Sequence, residues 1–322
     1  MIDGQGVTVV VPTLNRGAYV VDCICDLLAQ DYRPLEILVV DQSENIPARV
    51  AQLVEAHPGL ITYHHVRFRG SARARNFGWQ RAQYETIVYL DDDIRCGPWF
   101  VKELVRVLDT PGVGVAAGGL QPVPGHIAGY SLARRRMDAG KFRTWTGTPL
   151  AGFEAEGEWN ADHALEGDFA VRRRVMEAVG GFDEAFEVPA ALYEGTDLCL
   201  RIKRAGFSVR FNGRARILHL GAPVGGNRVT NWPMYVYGLA HNRAILIRRH
   251  VPVYFWPTAV ARLALLVLSY AAHYRASKAI ATGLQGFAQG WRAAALPVKC
   301  TRFDAVGSGA GCGGPAGPHA RF

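Results

Sequence analysis

Three successive carboxylates, Asp91-Asp92-Asp93, are the densest concentration of chemical potential in the sequence. Adjacent like charges repel, and a divalent cation is the simplest group that offsets them. Two carboxylates completed by phosphate oxygens suit Mg²⁺ or Mn²⁺, whereas a solvated acidic turn is the alternative without chemistry. Two other places carry polar groups able to bind a ligand, the turn Pro12-Thr13-Leu14-Asn15-Arg16 and Asp41.

These residues matter only if the chain brings them to one place, and its periodicity predicts that it does. Val7 to Val11 is a β-branched run closed by Pro12, which reads as a buried strand. Similar runs at 36–40 and 86–90 end at Asp41 and Asp91. Helical spacing is expected at 17–30, 48–56, 71–83 and 98–108, with further strands at 61–66 and 113–117. Strands alternating with helices predict an α/β fold with a nucleotide-binding, mostly parallel sheet flanked by helices. Ligands of such sheets bind outside the carboxyl ends of the strands, where the turn after Val11, Asp41 and the aspartate triplet all fall. A dinucleotide fold is excluded, because no G-x-G-x-x-G follows the first strand, and no Walker A loop is present. The stretch 121–166 lacks periodicity and reads as an insertion carrying binding loops. Beyond it a helix is expected at 198–205 and short strands at 207–211 and 216–220. Glu194 and Asp197 are spaced to share one helix face.

The chain has 322 residues, 49% of them hydrophobic and 20% charged, which excludes a disordered chain or a small disulfide scaffold. Its net charge of +8 is concentrated at the end: from His241 onward there are ten Lys or Arg and one acidic residue, Asp304. Such a block suits an anionic membrane surface. Nucleic acid is not expected, because the basic residues are scattered among aliphatic ones without a stacking module. An apolar helix from Pro257 to about Tyr274 lies in this block. The stretch 253–274 is just long enough for a bilayer span but carries Arg262 near its middle, at an insertion cost of about 2.5–3.5 kcal/mol. A helix lying in the interface or packed on the protein is preferred to a span. With no leader pattern at the start and no disulfide or zinc spacing among six Cys, the expected location is cytoplasmic, peripheral on the inner face of the cell membrane.

Several segments together resemble the family 2 glycosyltransferases of GT-A fold. They are VVVPTLNR (9–16), LVVDQS (38–43), GSARARNFGW (70–79), YLDDDI (89–94), VGGFDEAF (179–186), YEGTDLCLRIKRAG (193–206) and ILHLG (217–221). The resemblance covers residues 7–221, and the order and spacing of the segments carry it. It implies a nucleotide-sugar-binding half (1–120) and an acceptor-binding half with the base (121–225); beyond them, the apolar and basic composition predicts a C-terminal helical, membrane-associated extension (226–300), and the glycines predict a disordered tail (301–322). The resemblance also implies a nucleoside diphosphate sugar as donor and a glycan or lipid-linked acceptor, in cell-surface polysaccharide assembly. Pro12, Thr13, Asn15, Asp41, Asp91 and Asp92 are then donor-site residues. Arg75 (or Arg73) approaches the diphosphate, braces Asp91 or is a surface residue. Asp93 holds Mg²⁺ or Mn²⁺, which stabilises the departing nucleoside diphosphate; His219 matches a position that contacts the metal or the diphosphate in some relatives, or is a packed, hydrogen-bonded histidine. Asp183 is expected to brace a loop. Trp145, Trp159 and Trp232 are either sugar platforms or core. The segment 237–250 is similar to the rhamnosyltransferase-like branch.

One departure stands out. The family writes Glu-Asp-x-Asp where this chain has Glu194-Gly195-Thr196-Asp197, so the usual base position is a glycine. An inverting transfer needs a base beside the acceptor hydroxyl. Either Glu194 serves, or Asp197 does, or the chain is a degenerate nucleotide-sugar-binding protein. Transfer to a polyprenyl phosphate, which needs no strong base, is a further alternative and predicts basic residues around the acceptor.

Overall fold

The computed structural model describes residues 5–121, 138–190, 192–226 and 228–303. The first half alternates as its periodicity predicts: β1 (Val7–Thr13), α1 (Gly17–Leu28), β2 (Leu35–Asp41), α2 (Ala48–Ala56), β3 (Ile61–His65), α3 (Ser71–Arg81), β4 (Thr86–Leu90), β5 (Ile94–Cys96), α4 (Phe100–Leu108) and β6 (Val113–Leu120). The short strands β7 (Phe142–Arg143), β8 (Thr148–Pro149) and β9 (Glu158–Ala161) follow. Then come β10 (Asp168–Arg172), α5 (Arg173–Val179), α6 (Glu194–Arg204), β11 (Ser208–His219), α7 (Trp232–His250), α8 (Trp256–His273) and α9 (Lys278–Ala293).

The main sheet has nine strands in the order β3-β2-β1-β4-β10-β6-β11-β5, with β9 also on β11. It is parallel from β3 to β4. It is mixed beyond, because β10 runs antiparallel between β4 and β6. The expectation of a mostly parallel sheet is corrected at that point. β10 arrives from the opposite direction and inserts at the sheet centre, so the two halves divided at residue 120 share one sheet. The two strands expected at 207–211 and 216–220 are one, β11, whose pairing with β6 shifts register between Phe211 and Arg216. A bulge keeps a strand continuous while bending it, and apolar periodicity cannot distinguish that from a turn.

Alternate residues of the same strands feed two cores. Val9, Val11, Ile37 and Val39 meet α1, α2 and α4 on one face. Val10, Leu38, Val40 and Tyr89 meet α3, α5 and α6 on the other. A strand buried on both faces reads as an unbroken apolar run, which is why these strands are visible in the sequence. A third core lies among α7, α8 and α9. There α8 turns Ala259, Leu263, Val267 and Ala271 inward and leaves Leu265 and Leu268 exposed. It is the one helix among the described residues long and apolar enough to cross a membrane. Past α9 the chain returns to the first half. The Thr301 amide and hydroxyl donate to Glu184, the Phe303 amide donates to Gln80, and the Phe303 ring packs on Phe68 and Phe77. The tail expected from 301 therefore has a docked beginning, and its remainder lies outside the described residues.

Candidate active site

β1 and β4 are neighbours and both end at the same edge, so the turn after Thr13 faces the aspartates after Leu90. The Thr13 hydroxyl donates to Asp92 Oδ2 at 2.7 Å. Arg16 reaches back over both acids, with Nη1 at 2.9 Å from Asp92 Oδ1 and 3.2 Å from Asp93 Oδ2. β5 pairs with the end of β11 in a register that sets His219 opposite Ile94. That places His219 Nε2 at 3.4 Å from Asp93 Oδ1, and the Ala222 amide donates to Asp93 Oδ2 at 2.8 Å. On the other side, Ser71 and Arg75 share a face at the start of α3. Arg75 joins Asp91 Oδ1 (2.9 Å) to Glu194 Oε1 (2.7 Å), and the Ser71 hydroxyl donates to the same Glu194 oxygen. The start of α3 is held by Glu187, whose carboxylate accepts from the Arg73 amide.

The outcome is a cleft of about 380 Å³ lined by Pro12, Thr13, Arg16, Arg75, the three aspartates, Glu166, Glu194 and His219. The acid triplet is thus offset by protein cations to a degree the sequence did not suggest. Each acid sits in a different field. Burial pushes the Asp92 carboxyl up to about 6, against the pull of Thr13 and Arg16. For Asp93 burial acts the same way, but the His219 hydrogen bond, the charges of His219 and Arg16 and the Ala222 amide outweigh it and hold the carboxyl at about 2. Its hydrogen bond to Asp93 raises the pKa of His219. Asp93 and His219 put an oxygen and a nitrogen donor 3.4 Å apart on an open cleft. Two such donors leave room for phosphate oxygens, as a Mg²⁺ or Mn²⁺ site on a diphosphate requires. Among the described residues no cluster of three or more metal-ligating side chains forms, so the chain alone supplies only part of a coordination sphere.

Three expected site residues lie elsewhere. Asp41 is buried with both oxygens engaged: Oδ1 accepts from the Ser43 amide and Oδ2 from the Tyr63 hydroxyl. It braces the turn after β2 and does not line the cleft. Asn15 is exposed, in a left-handed conformation (φ 56°), with its amide donating to Ser43 Oγ. It shapes the turn, and Arg16 does the reaching. Asp197 is fully buried and bound by Arg201, Arg249 and His250. Burial opposes ionisation there, but the charge of Arg201 and the hydrogen bond from His250, with the charges of His250 and Arg249, hold the carboxyl well below the usual range. A carboxylate so placed takes no proton from an acceptor, and its candidacy as base is withdrawn.

Glu194 does line the cleft, with Oε1 committed to Arg75 and Ser71 and Oε2 buried without a partner. Asp183 braces, as expected: it caps the turn before Glu187 and pairs with Arg249 at 2.7 Å. Trp159 packs on Phe211 against the core, Trp232 is half-buried and stacks on the exposed Tyr274, and Trp145 is exposed. Sequence reasoning gave Arg16 no role, although it closes a motif already singled out. It gave Glu166 none either, in a stretch without periodicity.

Behind Glu166 and Leu192 lies a second cavity of about 300 Å³. Its wall is mostly apolar and aromatic, including Phe153, Tyr193, Tyr235, Leu266 and Tyr270, with Arg243 and Arg262 among them. α7 and α8 supply one side of it. Asn242 of α7 donates to the Phe186 and Leu192 carbonyls and so fixes the loop leading into Glu194.

Comparison with known proteins places this architecture. The pre-mycofactocin glycosyltransferase of Mycobacterium tuberculosis is 26% identical over 218 residues, 67% of this chain and 43% of its own length. The chain thus spans less than half of that relative. The glucosyl-dolichyl phosphate glucuronosyltransferase of Haloferax volcanii is 26% identical over 228 residues, 66% of this chain and 68% of its own. In fold, the chain is similar to the mannosyltransferase PcManGT from Pyrobaculum calidifontis, solved with GDP-Man and Mn²⁺. The TM-score is 0.56 at 20% identity, covering 91% of this chain and 76% of that one. The profile of Glycosyl transferase family 2 matches residues 8–180, more than half of the sequence. The protein belongs to glycosyl transferase family 2, and its fold is of the GT-A type.

Proposed function

We propose that the protein is an inverting, metal-dependent enzyme that moves a sugar from a nucleoside diphosphate to a hydroxyl of a glycan or lipid-linked acceptor in cell-surface polysaccharide assembly. One observation carries this reading: a charged cleft at the strand ends and an aromatic cavity share the wall formed by Glu166 and Leu192. A donor diphosphate in the first and an acceptor in the second would meet at that wall. Asp93 and His219 would hold Mg²⁺ or Mn²⁺, which supplies charge neutralisation for the leaving diphosphate. Arg16 and Thr13 hold Asp92 and Asp93 in place, and Arg75 fixes Asp91 against Glu194. Each group is set before the donor arrives, so little reorganisation is left for the reaction itself.

The acceptor-side cavity also favours a second reading, in which the acceptor is a lipid phosphate. Buried Arg243 donates to Thr148 Oγ1 while its Nε stays unpartnered, and Arg262 lines the same cavity. The name of the Haloferax volcanii relative, a glucuronosyltransferase of glucosyl-dolichyl phosphate, agrees instead with the lipid-linked sugar acceptor of the first reading. In either case α8 would lie on an anionic membrane surface at the cytoplasmic face.

The test is Mn²⁺-dependent binding and turnover across UDP-, GDP- and dTDP-sugars, with octyl glycosides and a polyprenyl phosphate as acceptors. One donor class is expected to bind only with metal, and Asp93→Ala is expected to lose that metal dependence. Failure of every donor to bind the wild type in Mn²⁺ sinks the proposal, and binding without any turnover leaves a nucleotide-sugar-binding protein.

A further inference from the structure

We infer that Glu166 is the general base that removes the proton of the acceptor hydroxyl, taking the place that Gly195 leaves empty. The inference rests on reading the two cavities as donor and acceptor sites. Among the described residues Glu166 is the single acidic one on the wall of the acceptor-side cavity, and it lines the donor cleft as well. It is half-buried in the loop entering β10, and among the described residues it makes no ion pair. Glu194 lines only the donor cleft and has given one oxygen to Arg75 and Ser71. Asp197 lines neither cavity.

Gly195 explains how the carboxylate of Glu166 reaches this position. A Cβ on Gly195 would stand 3.1 Å from Glu166 Cγ, 3.3 Å from its Cα and 3.6 Å from its Cδ. The space a side chain at 195 would claim is occupied by Glu166. A carboxylate supplied from the start of α6 and one supplied from the loop before β10 are therefore alternatives for one site, and this chain uses the second. Glu194, held by Arg75, is a positioning residue behind it.

In the reaction, the acceptor oxygen forms its bond to the anomeric carbon as Glu166 takes the hydroxyl proton. The bond from that carbon to the diphosphate oxygen breaks, and the nucleoside diphosphate leaves with the electron pair. Glu166 afterwards returns the proton to water. Its surroundings suit this task. Burial first, and the neighbouring Glu194 charge second, raise the Glu166 carboxyl to about 7, with Arg75 opposing and Asp91 adding. A base titrating near the working pH combines availability with driving force. The other ionisable groups on the acceptor-side wall, among the described residues, are His163, which burial keeps neutral, the phenols of Tyr193, Tyr235 and Tyr270, and the cations Arg243 and Arg262.

The experiment uses the full chain and Mn²⁺. Nucleotide-sugar hydrolysis and transfer to octyl glycosides are followed by nucleoside diphosphate release, with donor affinity by calorimetry and folding by thermal melting. Glu166→Gln is expected to keep donor Kd within about twofold and lower kcat by about 10²–10⁴-fold. The rise of kcat with pH near 7 should disappear in this variant. Glu166→Ala combined with Gly195→Asp moves the carboxylate across the contact and should recover at least about tenfold over Glu166→Ala alone, a gain that a merely structural role would not produce. A wild-type kcat and pH profile in Glu166→Gln overturns the inference while leaving the donor site intact, as does transfer to polyprenyl phosphate that is indifferent to it. A wild type that binds no donor overturns the proposed function and this inference with it.

Discussion

Asp168 shows how sharply one residue's field departs from its neighbour's. It begins β10, is fully buried, and neither side-chain oxygen has a hydrogen-bond partner. Gly118 on β6 makes room for it, since a Cβ there would stand 2.0 Å from Asp168 Oδ1. Burial, aided by the charge of Asp91, pushes its carboxyl well above the ordinary value. The folded state therefore keeps a proton that the unfolded chain releases above its lower pKa. Stability must fall as pH rises from the unfolded value toward the folded one, with a slope of about 1.4 kcal/mol per pH unit. Asp168→Asn removes this linkage without changing shape. Melting curves from pH 4 to 8 should show the variant gaining on the wild type as pH rises, and a gap that stays constant across this range would refute the neutral carboxyl. Arg75 is the opposite case, a buried cation between two acids. Breaking such a pair from one side costs about 3–5 kcal/mol. Arg75→Met should melt well below the wild type and lose donor binding, whereas a surface arginine would change neither.

Helix packing sets the back of the acceptor-side cavity, and glycines set the helix packing. α9 lies on α7 through Gly286 and Gly290. A Cβ on Gly286 would stand 2.3 Å from the Tyr237 carbonyl oxygen, and one on Gly290 2.0 Å from that of His241. Backbone atoms cannot swing aside as a side-chain tip does, so any larger residue must push the helices apart. Overpacking of this kind costs about 1–3 kcal/mol. Gly290→Val should lower the denaturant midpoint, while Gln285→Ala on the exposed face of the same helix should leave it unchanged; equal midpoints for the two variants would exclude the close contact. Because Arg243 and Asn242 are on α7, the strain should also raise KM for the acceptor more than for the donor.

At the level of the whole molecule, the basic, apolar end and the catalytic half form one piece. Leu265 is 59% exposed and Leu268 48% exposed on α8, and Leu284 is 67% exposed on α9. Arg262, Arg275 and Lys278 are close by in sequence. An apolar strip beside cations suits adsorption to an anionic bilayer, and burying each leucine there is worth up to about 1.5–3 kcal/mol. Leu265→Glu with Leu268→Glu should weaken binding to phosphatidylserine vesicles by more than about tenfold. The wild type should bind neutral vesicles poorly and lose binding as salt rises. Binding that is unaffected by the two glutamates would mean that α8 does not face the lipid.

Much of the architecture was determined by the sequence alone. Apolar runs buried on both faces mark β1, β2 and β4, and their ends place Thr13 and the aspartates at one edge. These are local properties, and a strand's period is written in consecutive residues. What only the tertiary structure decided is which polar groups remain free to act. Asp41 is silenced by Tyr63 of β3, and Asp197 by Arg249 and His250 of α7. Arg16, Arg75 and His219 offset the charge first assigned to a metal alone. Glu166 occupies the place of a side chain missing from a different element. Hydrogen-bond partners and desolvation come from segments far apart in the chain, so spacing within a motif carries no record of them.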